Sequence, residues 1–552
     1  MTKPPDLVVT GRIATLTGDT GFGWMPAIAL TNGRVSATGP AAEIARSAGS
    51  ATRMWRLPDG LCVMPGITDA HLHLGMAARA ATALDLGGAR DRGAILERIA
   101  AAHRALADAG DTITPVEGQG WSVDSFGGWP STDDLDRAAP GRTVSLWSHD
   151  HHARWVSRDL LGAAVSRAGA SASLIRREAD GGPTGILHEA ATSLVDPLLP
   201  AWDAFRRRAA LAAYARTLTS LGVTGVHDPG ELADAAGLDV GPALYRGLAR
   251  EGRLALRVTA SVREPQLPAA LDTGMRTGAG EGRYRDGWLK LFADGALGSR
   301  SAALLAPWAA DDPAGPPVGD PTGLLTASPA ELLAAASRAV TGGIAVQVHG
   351  IGDRAVRVVL DVLAGLPRVA GVRHRVEHAQ LVDAADIPRF ATLDVAASVQ
   401  PCHLCTDEPA MRVAWGTRAA NAFPLASLDA GGALIPLGTD APVESPDPWR
   451  NLAAAVSRSD PGWPEGKEPF HAEQALPVDR AIRAACLDPA ITAGRDDHGR
   501  LVPGAVADLV VVPVEGLLDP GERGSRLAGT RPLAVLIDGD VVHLAPGYDP
   551  DA

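Results

Sequence analysis

Apolar and polar positions alternate through the first stretch of the chain, where PDLVVTGRIATLT is followed by AIALTNGRVSATG. A period of two marks half-buried β-strands, and the Asn32-Gly33 pair predicts a tight hairpin turn. The last stretch behaves alike: ADLVVVPV is followed by PLAVLIDGDVVHL, with a turn signal at Asp538-Gly539. These patterns predict one small β-sandwich domain built from residues 1–63 plus 495–552. Between the two ends the pattern changes, and short apolar runs alternate with alanine-rich helical stretches. That is the mark of βα units around a parallel sheet. Strands are expected at 61–70, 223–227, 255–262, 288–293, 344–348, 373–378, 395–400 and 433–437. Eight such strands predict an α/β fold, a closed (β/α)8 TIM barrel, over 64–494. The crossover from the first to the second is far longer than one helix requires. It predicts an inserted subdomain over 76–221, after barrel strand one, covering the active-site mouth. No internal repeat is visible.

With 552 residues, 46% of them hydrophobic, the chain is long enough for a large core and further domains. A formal net charge of -13 argues against a nucleic-acid partner, which needs a basic face. The opening MTKPPDLVV lacks a basic stretch followed by an apolar one, so no secretory signal is expected. No apolar run reaches the roughly 18 residues of a membrane span. The cysteines Cys62, Cys402, Cys405 and Cys486 are too few for a disulfide framework. The expectation is a soluble cytoplasmic protein acting on a small molecule.

Active-site groups of such barrels lie at the C-terminal ends of the strands. The first strand ends PGITDAHLHL, and His71 and His73, two apart, share a face. The fourth, WLKLFAD, carries Lys290, one of only three lysines in the chain with Lys3 and Lys467. The fifth ends with His349, the sixth with His378 and the eighth with Asp440. Four histidines, a lysine and an aspartate thus point toward one mouth. Imidazole with carboxylate suits zinc, manganese, iron or nickel.

The stretches PGITDAHLHL, GQGWSVDSFGGWPSTDDLD, KLFADGALGSR, VQVHGIGDRAV, RVEHAQL, SVQPCHL and GTDAPVESPDPW resemble the amidohydrolase superfamily, and more narrowly its family 3, the YtcJ-like branch. The resemblance spans nearly the whole chain. Two places depart from it: Ser157 stands where the family segment has asparagine, and GAVADL lacks a lysine often found in its second position. The resemblance implies a metal-dependent hydrolase cleaving a non-peptide carbon–nitrogen bond, in an amide or N-substituted formamide. It implies one or two divalent metal ions per chain, zinc foremost. His71, His73 and Asp440 would hold the more buried ion, and His349 and His378 the other. Lys290, carboxylated by carbon dioxide, would bridge them, and Asp440 would be the general base. Only a neutral amine attacks carbon dioxide, which explains lysine where arginine is otherwise preferred. Many relatives form homodimers.

Weaker candidates for substrate contact are His403, Trp121, His152 and Arg418, each with a packing or surface role as the plain alternative. The Cys402-x-x-Cys405 pair lacks the second pair that a structural zinc site requires. Alternatives at the same metals are lactone, carbamate or cyclic imide hydrolysis. A catalytically silent binding or assembly protein is the alternative of another class.

Overall fold

Seven short apolar runs pair in parallel and in sequence order: β1 (Ile67–Asp69), β2 (Val223–Asp228), β3 (Arg257–Arg263), β4 (Tyr284–Phe292), β5 (Val346–Gly350), β6 (Arg375–His378) and β7 (Ala396–Ser398). The computed structural model describes residues 3–551 except 90, 150, 152, 179, 201–202, 232–240 and 310–319, and the side chain of residue 124. The eighth position is an extended segment rather than a regular strand. Ala397 and Val399 donate to the carbonyls of Leu434 and Pro436, Gly438 donates to Val399, and Ala70 donates to Leu437. These bonds close the sheet between β7 and β1. The expected strand at 433–437 is irregular for a physical reason. Pro436 has no N–H, while those of Ile435 and Leu437 go to the Asp488 carboxylate and the Ala484 carbonyl of the helix Val478–Thr492.

Helices between the strands show why this order repeats. Helix Pro329–Thr341 begins with a capping box, Ser328 with Glu331, and has proline in its first turn. It buries Leu332, Ala335, Ala336, Ala339 and Val340, a single stripe at helical spacing. Helix Asp353–Ala364 buries Val356, Val359, Leu360 and Leu363 by the same logic. Both stripes join the main core that also takes Leu289, Leu291, Val346, Val348 and Val376 from β4, β5 and β6.

The predicted first barrel strand, 61–70, divides in two. Leu61–Pro65 lies in another sheet, and only Ile67–Asp69 enters the barrel. Gly66 sits between them because a Cβ there would lie 2.2 Å from the Thr224 hydroxyl of β2. The other sheet joins both ends of the chain. Its order is Asp540–Leu544, Ala534–Ile537, Leu509–Pro513, Leu61–Pro65, Leu7–Ala14, Trp24–Thr31 and Arg34–Thr38, with Arg53–Arg56 beside Leu7–Ala14. Both expected turns are present as two-residue loops with positive φ at each residue: Asn32 50° and Gly33 73°, Asp538 56° and Gly539 76°. Val9, Ile13, Ile28, Trp55, Val63, Val511 and Leu536 form the core of this sheet.

The barrel and the terminal sheet belong to one compact unit, and residues 75–214 form a second. The second unit has its own six-stranded sheet, ordered Ile175–Arg177, Pro183–His188, Ala153–Val156, Val144–Ser148, Val116–Trp121 and Leu84–Asp85. Trp121, Trp155, Phe126 and Leu146 are central to its core. Among the described residues no helix is long and apolar enough to cross a membrane.

Candidate metal centre

The end of β1 and the segment after residue 433 are tied by one buried carboxylate. Asp69 accepts from the His71 amide at 3.1 Å, the Thr439 amide at 3.0 Å and the Thr439 hydroxyl at 2.6 Å. Asp440 N then donates to His71 O, and His73 N to Ala441 O. Gly438 makes this approach possible, because a Cβ there would stand 2.4 Å from the His71 nitrogen. His378 and Asp440 both hold left-handed backbone, at φ 71° and 59°. Non-glycine residues pay for that conformation, and such strain concentrates at functional sites.

The result is a convergence of donor atoms. His71, His378 and Asp440 each offer one, all within 4.8 Å of one another, and all three residues are buried. Asp440 Oδ1 is 3.5 Å from His71 Nε2 and 3.4 Å from His73 Nε2. Its Oδ2 is 3.7 Å from His403 Nε2 and 4.0 Å from His378 Nδ1. The His349 ring centroid lies 4.5 Å from that of His378, and the His403 centroid 6.3 Å from it. Outer contacts decide which ring nitrogen faces inward. His71 Nδ1 meets Glu377 Oε2 at 2.5 Å, His378 Nδ1 meets Gln400 Oε1 at 2.8 Å and His349 Nε2 meets Gly295 O at 3.1 Å. His71 Nε2 is left buried without a hydrogen-bond partner. A metal ion is what this donor set suits, since an orphaned buried imidazole nitrogen beside a carboxylate is otherwise costly.

Lys290 is 2% exposed, its ammonium 5.0 Å from the Phe292 ring centroid. Asp294 and Glu377, the carboxylates a plain structural lysine would pair with, are engaged elsewhere. Asp294 accepts from the amides of Ala303, Ile351 and Gly352. Glu377 is paired with Arg375 and His71. Burial pushes Lys290 down to about 8, although Glu377 and Asp440 pull the other way. Burial, aided by Lys290, also takes His71 down to about 4, so its imidazole is neutral and able to ligate. Burial and the neighbouring His349 hold His378 well below its ordinary value. For Asp440, burial is outweighed by the imidazoles around it, and the carboxyl stays ionised.

Of the six predicted residues, His71, His73, His349, His378 and Asp440 thus stand at the ends of the expected strands or just beyond them, Lys290 lies within β4, and His403 joins the cluster beside Asp440. Arg418 donates to the carbonyls of Ala306 and Pro307. Trp121 is fully buried in the core of the second unit and donates to Leu146 O. His152 lies outside the described residues. Cys402 and Cys405 are free thiols directed at different carbonyls, Thr439 and Ser459. The sequence reading assigned no place at the metal centre to Asp69, Gln400, Arg375 or Glu377. One signal was available: Arg375 and Glu377 are opposite charges two apart on a strand expected to be buried on every side.

The family model described as the amidohydrolase family matches residues 59–543, and the chain belongs to that family. Among its relatives, the putative amidohydrolase YtcJ of Bacillus subtilis is 29% identical, over 90% of this chain and 92% of that protein. The N-substituted formamide deformylase of Arthrobacter pascens is 24% identical, over 93% of this chain and 94% of that protein. The fold recurs in an uncharacterized metal-dependent hydrolase of Pyrococcus horikoshii, with a TM-score of 0.74 at 24% identity, covering 93% of this chain and 98% of that one.

Proposed function

We propose that the protein hydrolyses a non-peptide carbon–nitrogen bond of a small molecule, an amide or N-substituted formamide, at a divalent metal centre in which zinc is the favoured ion. The observation that carries this reading is the buried group His71, His378 and Asp440, with its unpartnered His71 Nε2. The similarity to a formamide deformylase supports the choice of bond. His71, His73 and Asp440 would hold one ion, and His349 and His378 a second. Lys290, as a carbamate, would complete the ligand set: its neutral amine attacks carbon dioxide, forms the N–C bond and gives up a proton. When bound, the metal supplies hydroxide at neutral pH and polarises the substrate carbonyl.

The chain's own groups do the rest. Asp440 Oδ2, facing His403, takes the proton from the attacking nucleophile and returns it to the leaving amine. One carboxylate serves both steps because the proton gained in the first is available for the second. His403 Nε2 is buried without a hydrogen-bond partner, which suits it to meet substrate oxygen. We propose a cytoplasmic location from the four scattered cysteines, and a homodimer from the family resemblance.

The test is metal content by elemental mass spectrometry, on protein purified without chelators, followed by an amide and ester panel before and after chelation. About two equivalents, with amide turnover lost on chelation and restored by zinc, is the expected result. About one equivalent keeps the hydrolase and removes the carbamate bridge. No retained or restorable metal would overturn the reading.

A further inference from the structure

Beneath the donor cluster, the barrel interior holds a fully buried ion pair. Arg375 and Glu377 are both 0% exposed, and Arg375 Nε stands 2.8 Å from Glu377 Oε1. The Arg375 guanidinium also donates to Ala70 O at 2.6 Å, Ser398 Oγ at 2.7 Å and Glu377 Oε2 at 3.2 Å, and it lies 3.0 Å from His227 Nδ1. The Trp288 ring of β4 covers it, its centroid 4.8 Å away. One side chain therefore gathers the end of β1 with β2, β4, β6 and β7. A buried charge pair is costly to desolvate, and packed apolar residues of the same volume are often no less stable. Stability alone gives a weak reason for keeping it there.

What the pair does locally is specific. Glu377 Oε2 meets His71 Nδ1 at 2.5 Å, so Nδ1 is the protonated nitrogen and Nε2 presents its lone pair toward Asp440. Arg375 holds the same carboxylate at both oxygens, its Nε 2.8 Å from Oε1 and its Nη2 donating to Oε2 at 3.2 Å, which fixes the carboxylate's orientation. We infer that Glu377, oriented by Arg375, is a positioning residue that fixes the tautomer and ring plane of His71 and supplies a buried negative charge behind this metal ligand. The inference rests on the metal-centre reading and deepens it. Removing such an outer partner of a ligating histidine typically weakens metal affinity ten- to hundredfold.

Three variants separate the roles. Glu377→Gln keeps an acceptor for His71 Nδ1 but removes the charge, Glu377→Leu removes both, and Ser398→Ala removes one barrel-interior hydrogen bond while leaving the Arg375–Glu377 pair and His71 in place. Zinc affinity of each full-length protein is measured by competition with a chromophoric chelator, alongside circular dichroism of the metal-free form. The expected order is the unaltered protein and Ser398→Ala within threefold of each other, Glu377→Gln about tenfold weaker, and Glu377→Leu weaker still. Glu377→Gln is isosteric and guards against a loss that is only one of folding. If it folds as the unaltered protein does and binds zinc within twofold of it, the charge contribution is overturned. If a folded Glu377→Leu also binds within twofold, the positioning role falls while the metal reading stands. Equal losses in Ser398→Ala and Glu377→Leu would likewise overturn it, by showing that any disturbance of the barrel interior suffices. Absence of zinc binding by the unaltered protein would overturn the metal reading and this inference together.

Discussion

Lys290 shows how much one residue type can decide. Its ammonium is buried 5.0 Å from the Phe292 ring centroid, the nearby Glu377 is already paired with Arg375, and burial outweighs the pull of Glu377 and Asp440 to bring it down to about 8. An amine can shed its proton in such a place, and a guanidinium cannot. Lys290→Arg is therefore expected to fold but to retain less than half of the metal, with turnover lowered at least a hundredfold. Elemental analysis beside a turnover assay checks this, and full metal with full turnover would remove the carbamate. The site was only partly legible at this scale. Histidines after apolar runs announce themselves, because strand ends at a barrel mouth are where ligands stand. Gln400 and Asp69 do not: each is one polar residue whose partner, His378 or Thr439, is far along the chain, and no local pattern encodes that pairing.

Elements were easier to foresee where local chemistry and tertiary context agree. Asn32-Gly33 and Asp538-Gly539 form turns because both residues must adopt positive φ, which few pairs tolerate. Residues 433–437 were harder, since their apolar run resembles any buried strand. Pro436 and the competing acceptors Asp488 and Ala484 make the segment irregular, and only the fold reveals those acceptors. Capping chemistry gives a clean test of an element that frames the barrel without touching the donor cluster. The Ser328 side chain accepts from the Glu331 amide, while Glu331 Oε2 accepts from the Ser328 amide at 2.8 Å. Ser328→Ala should cost about 1 kcal/mol of stability in urea unfolding. Metal content should be unchanged.

For the whole molecule, acid sensitivity is written into buried histidines that fold in the neutral form. His498 is held at about 4 by burial and the nearby Arg495, against an ordinary value near 6.5. Unfolding therefore takes up a proton at this residue between those values, and the stability it contributes above pH 6.5 is lost as pH falls through 4. Buried Asp69 and Asp294, raised to about 7, act in the opposite sense, so the difference between two proteins is the informative quantity. Relative to His498→Gln, the unaltered protein should lose stability between pH 6.5 and 4, measured by thermal unfolding across that range. A constant difference would show that His498 does not couple to folding. The barrel was legible at this scale from eight apolar runs alternating with helical stretches. The division of 61–70 between two sheets was not, because Gly66 yields to the Thr224 side chain, more than 150 residues away in sequence.

That division sets an order of events during synthesis. Leu61–Pro65 pairs on one side with Leu7–Ala14, which leaves the ribosome before it, and on the other with Leu509–Pro513. At about 5–20 residues per second, the second partner arrives roughly 20–90 s after Leu61–Pro65 itself. For that interval the nascent chain carries an unpaired apolar edge, Leu-Cys-Val-Met-Pro, directly joined to the first barrel strand. The last fifty residues thus close a seam opened near the start, and a chain released before them exposes the edge best placed to recruit its neighbours.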